Sequence, residues 1–210
     1  FAGTVTKTTG KVTISDKAYD VDKLKTINAA TDGAIVLSDP STDLSGKTDD
    51  LVAAFAGTIT KTTGKVTISD KAYDVAKLKT INAATDGAIV LTDPSTDLSG
   101  KTADIIAALA GSMTKHTGKI TITDNAYDVD KLKTINAATD GAIVLSVANV
   151  ALTGKTADLI DAFAGTVTKT TGKVTISDKA YDVAKLKTIN AATDGEIVLT
   201  DPSADLSGKT

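Results

Sequence analysis

Aspartate carboxylates, a Gly-Lys-Thr triplet, one histidine and paired threonines are the groups in this chain that could do chemistry. Asp16, Asp20 and Asp22 fall in one short stretch, and Asp39 and Asp43 in another. Clustered carboxylate oxygens are the ligand type that Ca²⁺ takes. Neither run follows the EF-hand spacing or the Gly-Gly-x-Gly-x-Asp pattern of calcium-binding β-rolls. Asp22 is moreover replaced by Ala76 and Ala184 at equivalent positions. The first expectation is therefore caps and turns, with Ca²⁺ at Asp16, Asp20, Asp39 and Asp43 as the weaker alternative.

Gly46-Lys47-Thr48 is the ending of a phosphate-binding loop ahead of a helix. That motif needs a glycine five residues before Gly46, where this chain has Ser41. Acidic Asp43 also stands where a phosphate would approach. A loop followed by Thr48 as helix cap is the expectation. His116 is the only histidine, and its counterparts are Thr8, Thr62 and Thr170. It reads as a solvent-facing replacement of threonine, not a catalytic base; Glu196 likewise replaces alanine. Thr4-x-Thr6, Thr58-x-Thr60 and Thr166-x-Thr168 would form a regular ladder if they stacked, the kind of face that holds an ice surface. Ser112-Met113-Thr114 interrupts the series, and the β-propensity of threonine accounts for the enrichment without a ligand.

These groups recur because the chain is one unit written almost four times. Phe1, Phe55, Leu109 and Phe163 open successive copies 54 residues apart. The copies are 1–54, 55–108, 109–162 and a truncated 163–210, with no insertion between them. A strict period of this length predicts units that stack on their neighbours. No flexible linker separates the copies, which argues against independent beads. The first and last residues both fall within one helix-like segment. The chain is thus expected to be part of a longer one, an expectation that an intact mass near 21.3 kDa on native material would sink.

Composition narrows the function classes. Aromatics are 3% and there is no Trp, so the core is built from thin aliphatic layers. All basic residues are Lys and the net charge is −3, so there is no basic stripe and no arginine fork for phosphates or bases. Nucleic-acid binding is not expected. Without cysteine there is no disulfide framework or thiolate metal site. No apolar run approaches the roughly 20 residues needed to span a bilayer, so membrane insertion is not expected.

The elements follow from local pattern. Lys11-Val12-Thr13-Ile14-Ser15 alternates as a half-buried strand does, with a weaker strand at Gly3–Lys7. Asp20 is placed to cap a helix that buries Val21, Leu24 and Ile27, with Asp22, Lys23, Lys25 and Asn28 pointing away. Gly33 is expected to end it in the left-handed conformation. Ala34-Ile35-Val36-Leu37 reads as a strand covered on both faces, stopped at Asp39-Pro40. A loop runs to Gly46, and a second helix buries Leu51, Val52 and Phe55 before Gly57 closes it. Leu24 and Leu51 lie 27 residues apart, half the period. The expectation is an α/β solenoid of (β)β-α-β-α repeats with a mainly parallel sheet. It is similar in principle to leucine-rich repeats, without their Leu/Asn signature.

Two features come from comparing copies. Lys23–Gly33 recurs letter for letter at 77–87, 131–141 and 185–195, which suggests recent duplication. Copy three departs most: Ser146-Val147-Ala148-Asn149-Val150-Ala151 replaces the Ser-Asp-Pro-Ser-Thr-Asp of copy one. Four interchangeable copies offer no unique constellation, so an enzyme is not expected and no cofactor is implied.

Near-identical tandem units rich in Thr, Ala and Asp and free of Cys resemble bacterial cell-surface and extracellular proteins of the adhesin-stalk or fibre type. The resemblance is one of repeat style and carries over no site residue. It implies an extracellular or cell-surface location, self-association end to end or laterally, and a rigid rod, spacer or fibre role. The alternative is a binding module whose Thr-rich face or loops engage a protein, glycan or ice surface.

Overall fold

Short strands and helices alternate along the chain in a computed structural model that describes residues 6–208. Copy one contains β1 (Val12–Ile14), α1 (Val21–Ala29), β2 (Ile35–Leu37), β3 (Leu44–Gly46) and α2 (Thr48–Ala54). Copy two repeats the order as β4 (Val66–Ile68), α3 (Val75–Ala83), β5 (Ile89–Leu91), β6 (Leu98–Gly100) and α4 (Thr102–Ala108). Copy three supplies β7 (Ile120–Ile122), α5 (Val129–Ala138), β8 (Ile143–Leu145), β9 (Leu152–Gly154) and α6 (Thr156–Ala162). Copy four supplies β10 (Val174–Ile176), β11 (Tyr181–Asp182), α7 (Val183–Ala192), β12 (Ile197–Leu199) and β13 (Leu206–Ser207). The α/β class and strand–helix alternation expected from the pattern are thus present. The weak strand before β1 is placed partly outside the described residues; its later counterparts form single bridges only.

Two compact units partition the chain: Phe1–Thr96 with Ala107–Thr114, and Asp97–Ile106 with Lys115–Thr210. In the first, β1 pairs with β2, and β3, β4 and β5 form a three-stranded sheet in that order. In the second, β6-β7-β8 and β12-β10-β9 form three-stranded sheets and β11 pairs with β13. Every one of these pairings is parallel. The register is regular: Leu44 faces Val66, Val66 faces Ile89, and Ile89 bridges Met113. Strands about half a copy apart are therefore neighbours, and their connections pass through a helix, as parallel pairing requires.

That register corrects the threonine-ladder expectation. The strand at Ile59 lies against Ile35, that at Met113 against Ile89, and that at Val167 against Ile143. The Thr-x-Thr pairs of successive copies thus sit in separate ladders and do not stack; Thr4 lies outside the described residues. Thr60 Oγ instead accepts the Leu37 N–H at 3.2 Å.

Side-chain alternation sets the core. Val66 and Ile68 are fully buried while Thr67 between them is half-exposed. The Ile-Val-Leu strands behave the same way: Ile35 and Leu37 are buried and Val36 is half-buried. Coverage on both faces, the expectation from the continuous apolar run, is therefore incomplete. Leu24, Leu51, Leu78 and Ile81 are fully buried, on helices that pack α1 on α2 and α2 on α3, and α5 on α6 and α6 on α7. At about 2 kcal/mol for each such side chain, these layers supply the main driving force.

The strand Leu44–Gly46 lies where a loop was expected. Its one apolar residue is flanked by Asp, Ser and Gly, all poor strand formers. Neighbours make it a strand: Leu44 N–H donates to Lys65 at 2.8 Å and Ser69 N–H to Gly46 at 2.9 Å.

Candidate functional site

Asp20 performs the role its position suggests. Its carboxylate accepts the Lys23 N–H at 2.8 Å, capping α1, and Asp74, Asp128 and Asp182 repeat the bond to Lys77, Lys131 and Lys185. An extended residue accepting from the third helical N–H is standard N-cap geometry.

The second helix is capped differently from the sequence expectation. Thr48 is the first residue of α2 and not its N-cap; that position is Lys47, whose side chain makes no cap bond. Thr48 is fully buried, and both its N–H (3.2 Å) and its hydroxyl donate to Asp70, a residue of the next copy. Thr102 meets Asp124 and Thr156 meets Asp178 in the same way. A carboxylate thus already fills the anion position at the start of the helix, which disposes of the phosphate-loop likeness. Gly46 has its own reason to be glycine: a Cβ there would come within 3.1 Å of Val21.

These contacts shift the carboxyls. The Thr102 hydroxyl and then its N–H hold Asp124 below the ordinary carboxylate range, and Thr156 does the same for Asp178. At Asp70 burial pushes the carboxyl up, but the Thr48 hydroxyl and N–H outweigh it and the net shift is downward.

The remaining Ca²⁺ candidates are separately engaged. Asp16 accepts the Ala18 N–H at 3.2 Å. Asp39 accepts the N–H (3.0 Å) and hydroxyl of Ser41 and pairs with Lys17 at 2.9 Å. The Ser41 hydroxyl and Lys17 together lower its carboxyl to about 2. Asp43 accepts the Lys65 N–H at 2.8 Å and pairs with that lysine's ammonium at 3.7 Å. Among the described residues no group of three or more His, Cys, Asp or Glu side chains is arranged to hold a metal ion.

His116 overturns its sequence reading: it is fully buried, not solvent-facing. It bridges Thr139, and its carbonyl accepts the Thr139 hydroxyl at 2.9 Å and the Asp140 N–H at 2.8 Å. Thr62 and Thr170 are fully buried at the same register position, whereas Thr8 in copy one is exposed. A polar residue between Lys and Thr gives no sequence signal of burial. Glu196 is exposed, and only its carbonyl joins the ladder, accepting from Val174 at 2.8 Å.

The invariant stretch Lys23–Gly33 carries most of what the sequence reading missed. Asn28, expected to point away, donates to the carbonyls of Ala54 (3.0 Å) and Ala56 (2.5 Å), closing the end of α2; Asn82 and Asn136 do likewise. Lys25 reaches Asp50. Thr31 is buried and donates to Thr8 at 2.9 Å, and Asp32 pairs with Lys7 at 3.3 Å. Gly33 does not adopt a left-handed conformation, which among the described glycines belongs to Gly57, Gly111, Gly165 and Gly208. It must be glycine because a Cβ would stand 2.0 Å from the Gly10 carbonyl oxygen. Identity over this stretch therefore answers a physical demand: side chains that would be solvated on an isolated helix are joints between successive turns.

The open spaces are surface grooves. One groove of about 220 Å³ is lined by Lys61, Asn82, Asp86 and Ser112, with Lys61 and Asp86 paired at 3.2 Å. A separate groove, of about 390 Å³, is lined by Phe163, Thr166, Lys169 and Thr188. Among the described residues no helix is long and apolar enough to cross a membrane. The sequence matches no known protein family and no curated protein, and no solved structure matches the fold.

Proposed function

We propose that the chain is a structural repeat element, a spacer, stalk or fibre segment whose product is length. One observation carries this reading. The polar side chains with chemical potential are spent, copy after copy, on joining one turn to the next. Asp70 caps the helix that begins at Thr48, Asn28 closes that helix's far end, and Asp43 takes the Lys65 N–H. The same bonds recur with Asp124, Asn82 and Asp97. Each joint is local, so stability grows by repetition without a large single core. A cell-surface or extracellular location belongs to the same proposal and rests on the resemblance in repeat style.

Electron microscopy of the chain beside versions with one copy added or removed tests this. The expected result is a uniform particle lengthening by a constant increment per copy. A compact particle of unchanged length would sink the proposal.

A further inference from the structure

In each of the first two copies one peptide bond joins an aspartate to a proline, Asp39–Pro40 and Asp93–Pro94. The proline nitrogen belongs to a tertiary amide, and once protonated it can depart as a secondary amine. On the other side of the bond is a carboxylate within reach of the same residue's carbonyl carbon. A third group completes the arrangement. The Tyr19 hydroxyl donates to the Asp39 carbonyl oxygen at 2.6 Å, and the Tyr73 hydroxyl donates to that of Asp93. Both tyrosines are buried, 4% and 3% exposed, so each donor is fixed on the oxygen where negative charge develops when the carbonyl is attacked.

We infer that the chain cleaves its own backbone at Asp39–Pro40 and Asp93–Pro94 in mild acid, with Tyr19 and Tyr73 as the donors that stabilise the developing oxyanion. A carboxylate oxygen of Asp39 attacks the Asp39 carbonyl carbon and closes a cyclic anhydride as the C–N bond to Pro40 breaks. The electron pair of that bond goes to the prolyl nitrogen, which takes a proton from solvent. Water then opens the anhydride and leaves Asp39 as a new C-terminal residue. The surroundings keep the carboxylates in their nucleophilic form. Ser41 and Lys17 hold Asp39 at about 2, and Lys71 and Ser95 hold Asp93 below its ordinary 3.8. At about pH 4 both thus stay ionised while acid supplies the proton that the leaving nitrogen needs. Copy three has Val147-Ala148 at this place and no such bond. At Asp201–Pro202 the Tyr181 hydroxyl accepts the Asp201 N–H at 3.0 Å, so the inference is confined to the first two bonds. One period of 54 residues separates these two cuts, and together they excise residues 40–93.

Mass spectrometry of the full chain held at about pH 4, folded and in guanidinium chloride, tests this. The expected result is fragments that end at Asp39 and Asp93, formed about tenfold faster or more from the folded chain. Tyr19→Phe slows the first cut by about tenfold in the folded chain, spares the second as an internal control, and changes nothing in denaturant. Tyr73→Phe does the reverse, and Asp39→Asn abolishes the first cut alone. Replacing tyrosine with 3,5-difluorotyrosine, a stronger donor of nearly the same shape, speeds both cuts, which a merely structural role would not do. Cleavage no faster in the folded chain than in the denatured one overturns the inference. So does a first cut that Tyr19→Phe leaves unchanged.

Discussion

The loop before β3 in copy one and the loop before β9 in copy three share a backbone and almost no side-chain chemistry. In both, the carbonyl at the second loop position accepts two N–H groups. Pro40 takes Thr63 and Gly64 at 2.8 and 3.2 Å, and Ala148 takes Thr171 and Gly172 at 2.8 and 3.3 Å. In both the strand then opens with a leucine bonded across, Leu44 to Lys65 and Leu152 to Lys173. Around that shared frame copy one places Asp39, Ser41, Asp43 and their lysines, and copy three places Val147, Asn149 and Ala151. Lys17, the partner of Asp39, is Asn125 in copy three, so both members of an ion pair were replaced by neutral residues. The acids are dispensable to the fold because the backbone carries it. Asp39 is lost together with its partner Lys17, whereas Asp43 is lost while the counterpart of its partner Lys65 persists as Lys173.

Glycine substitutions test the shared frame and have the largest expected effect. A Cβ at Gly64 would lie 2.3 Å from the Thr42 carbonyl oxygen, and one at Gly172 2.2 Å from that of Val150. Backbone cannot yield as a side chain tip can, so Gly64→Ala and Gly172→Ala should each cost about 3 kcal/mol or more. Urea unfolding followed by circular dichroism measures both. If only the copy-one variant were destabilised, the two loops would not share a frame. The tyrosines come next. Tyr19 donates to the Asp39 carbonyl at 2.6 Å, and Tyr127 accepts the Val147 N–H at 2.9 Å. Donor and acceptor roles are reversed, yet either Tyr→Phe change removes the partner of one half-buried backbone group, at about 1 kcal/mol. Equal losses in the two variants are the expected outcome of the same denaturation series.

What was legible in the sequence follows the same division. Patterns within one element were readable: the alternation at Val12–Ile14, the Asp20 cap, the apolar stripe through Leu24, and the closing Gly57. Groups that act across copies were not. Thr48 looked like its own cap because local spacing permits it, whereas Asp70 lies 22 residues away in sequence. Asn28 looked solvated because helix periodicity describes one helix and not the neighbour its amide reaches. His116 looked exposed because its neighbours Lys115 and Thr117 are themselves exposed and give no local sign of its burial. The strand at Leu44 was hidden for the same reason, since its neighbour β4 imposes it on residues that do not favour it. In a stacked array, local pattern specifies the turn, and the joint between turns is written in residues that look like surface.

Acid should separate the two loops. The Asp39 carboxyl is lowered from its ordinary 3.8 to about 2. A depressed folded value means that its stabilisation is fully present above the ordinary value and is lost as pH falls through the folded one. Amide hydrogen exchange across the copy-one loop should therefore accelerate between about pH 4 and 2 relative to the copy-three loop, after correction for intrinsic rates. Val147 and Ala151 have nothing to titrate, so equal acceleration in both loops would assign the effect to the shared caps instead.

The smallest expected effect bears most directly on why the two loops differ. Lys17 is mostly exposed, with 82% of its side chain accessible, so its pairing with Asp39 is a surface ion pair. Such pairs contribute little to stability and are screened by salt. A double-mutant cycle with Lys17→Asn and Asp39→Val isolates that coupling from the cost of the Ser41 bonds, which Asp39→Val removes with or without the lysine. The coupling should fall towards zero in 1 M salt. The reciprocal cycle, Asn125→Lys with Val147→Asp, should show coupling of similar size, because the backbone that held the original pair is already in place. Either single change there leaves a charge without its partner and should be neutral or mildly destabilising. A vanishing coupling in copy one at low salt would make the joint replacement of Lys and Asp in copy three a coincidence and not a compensated exchange.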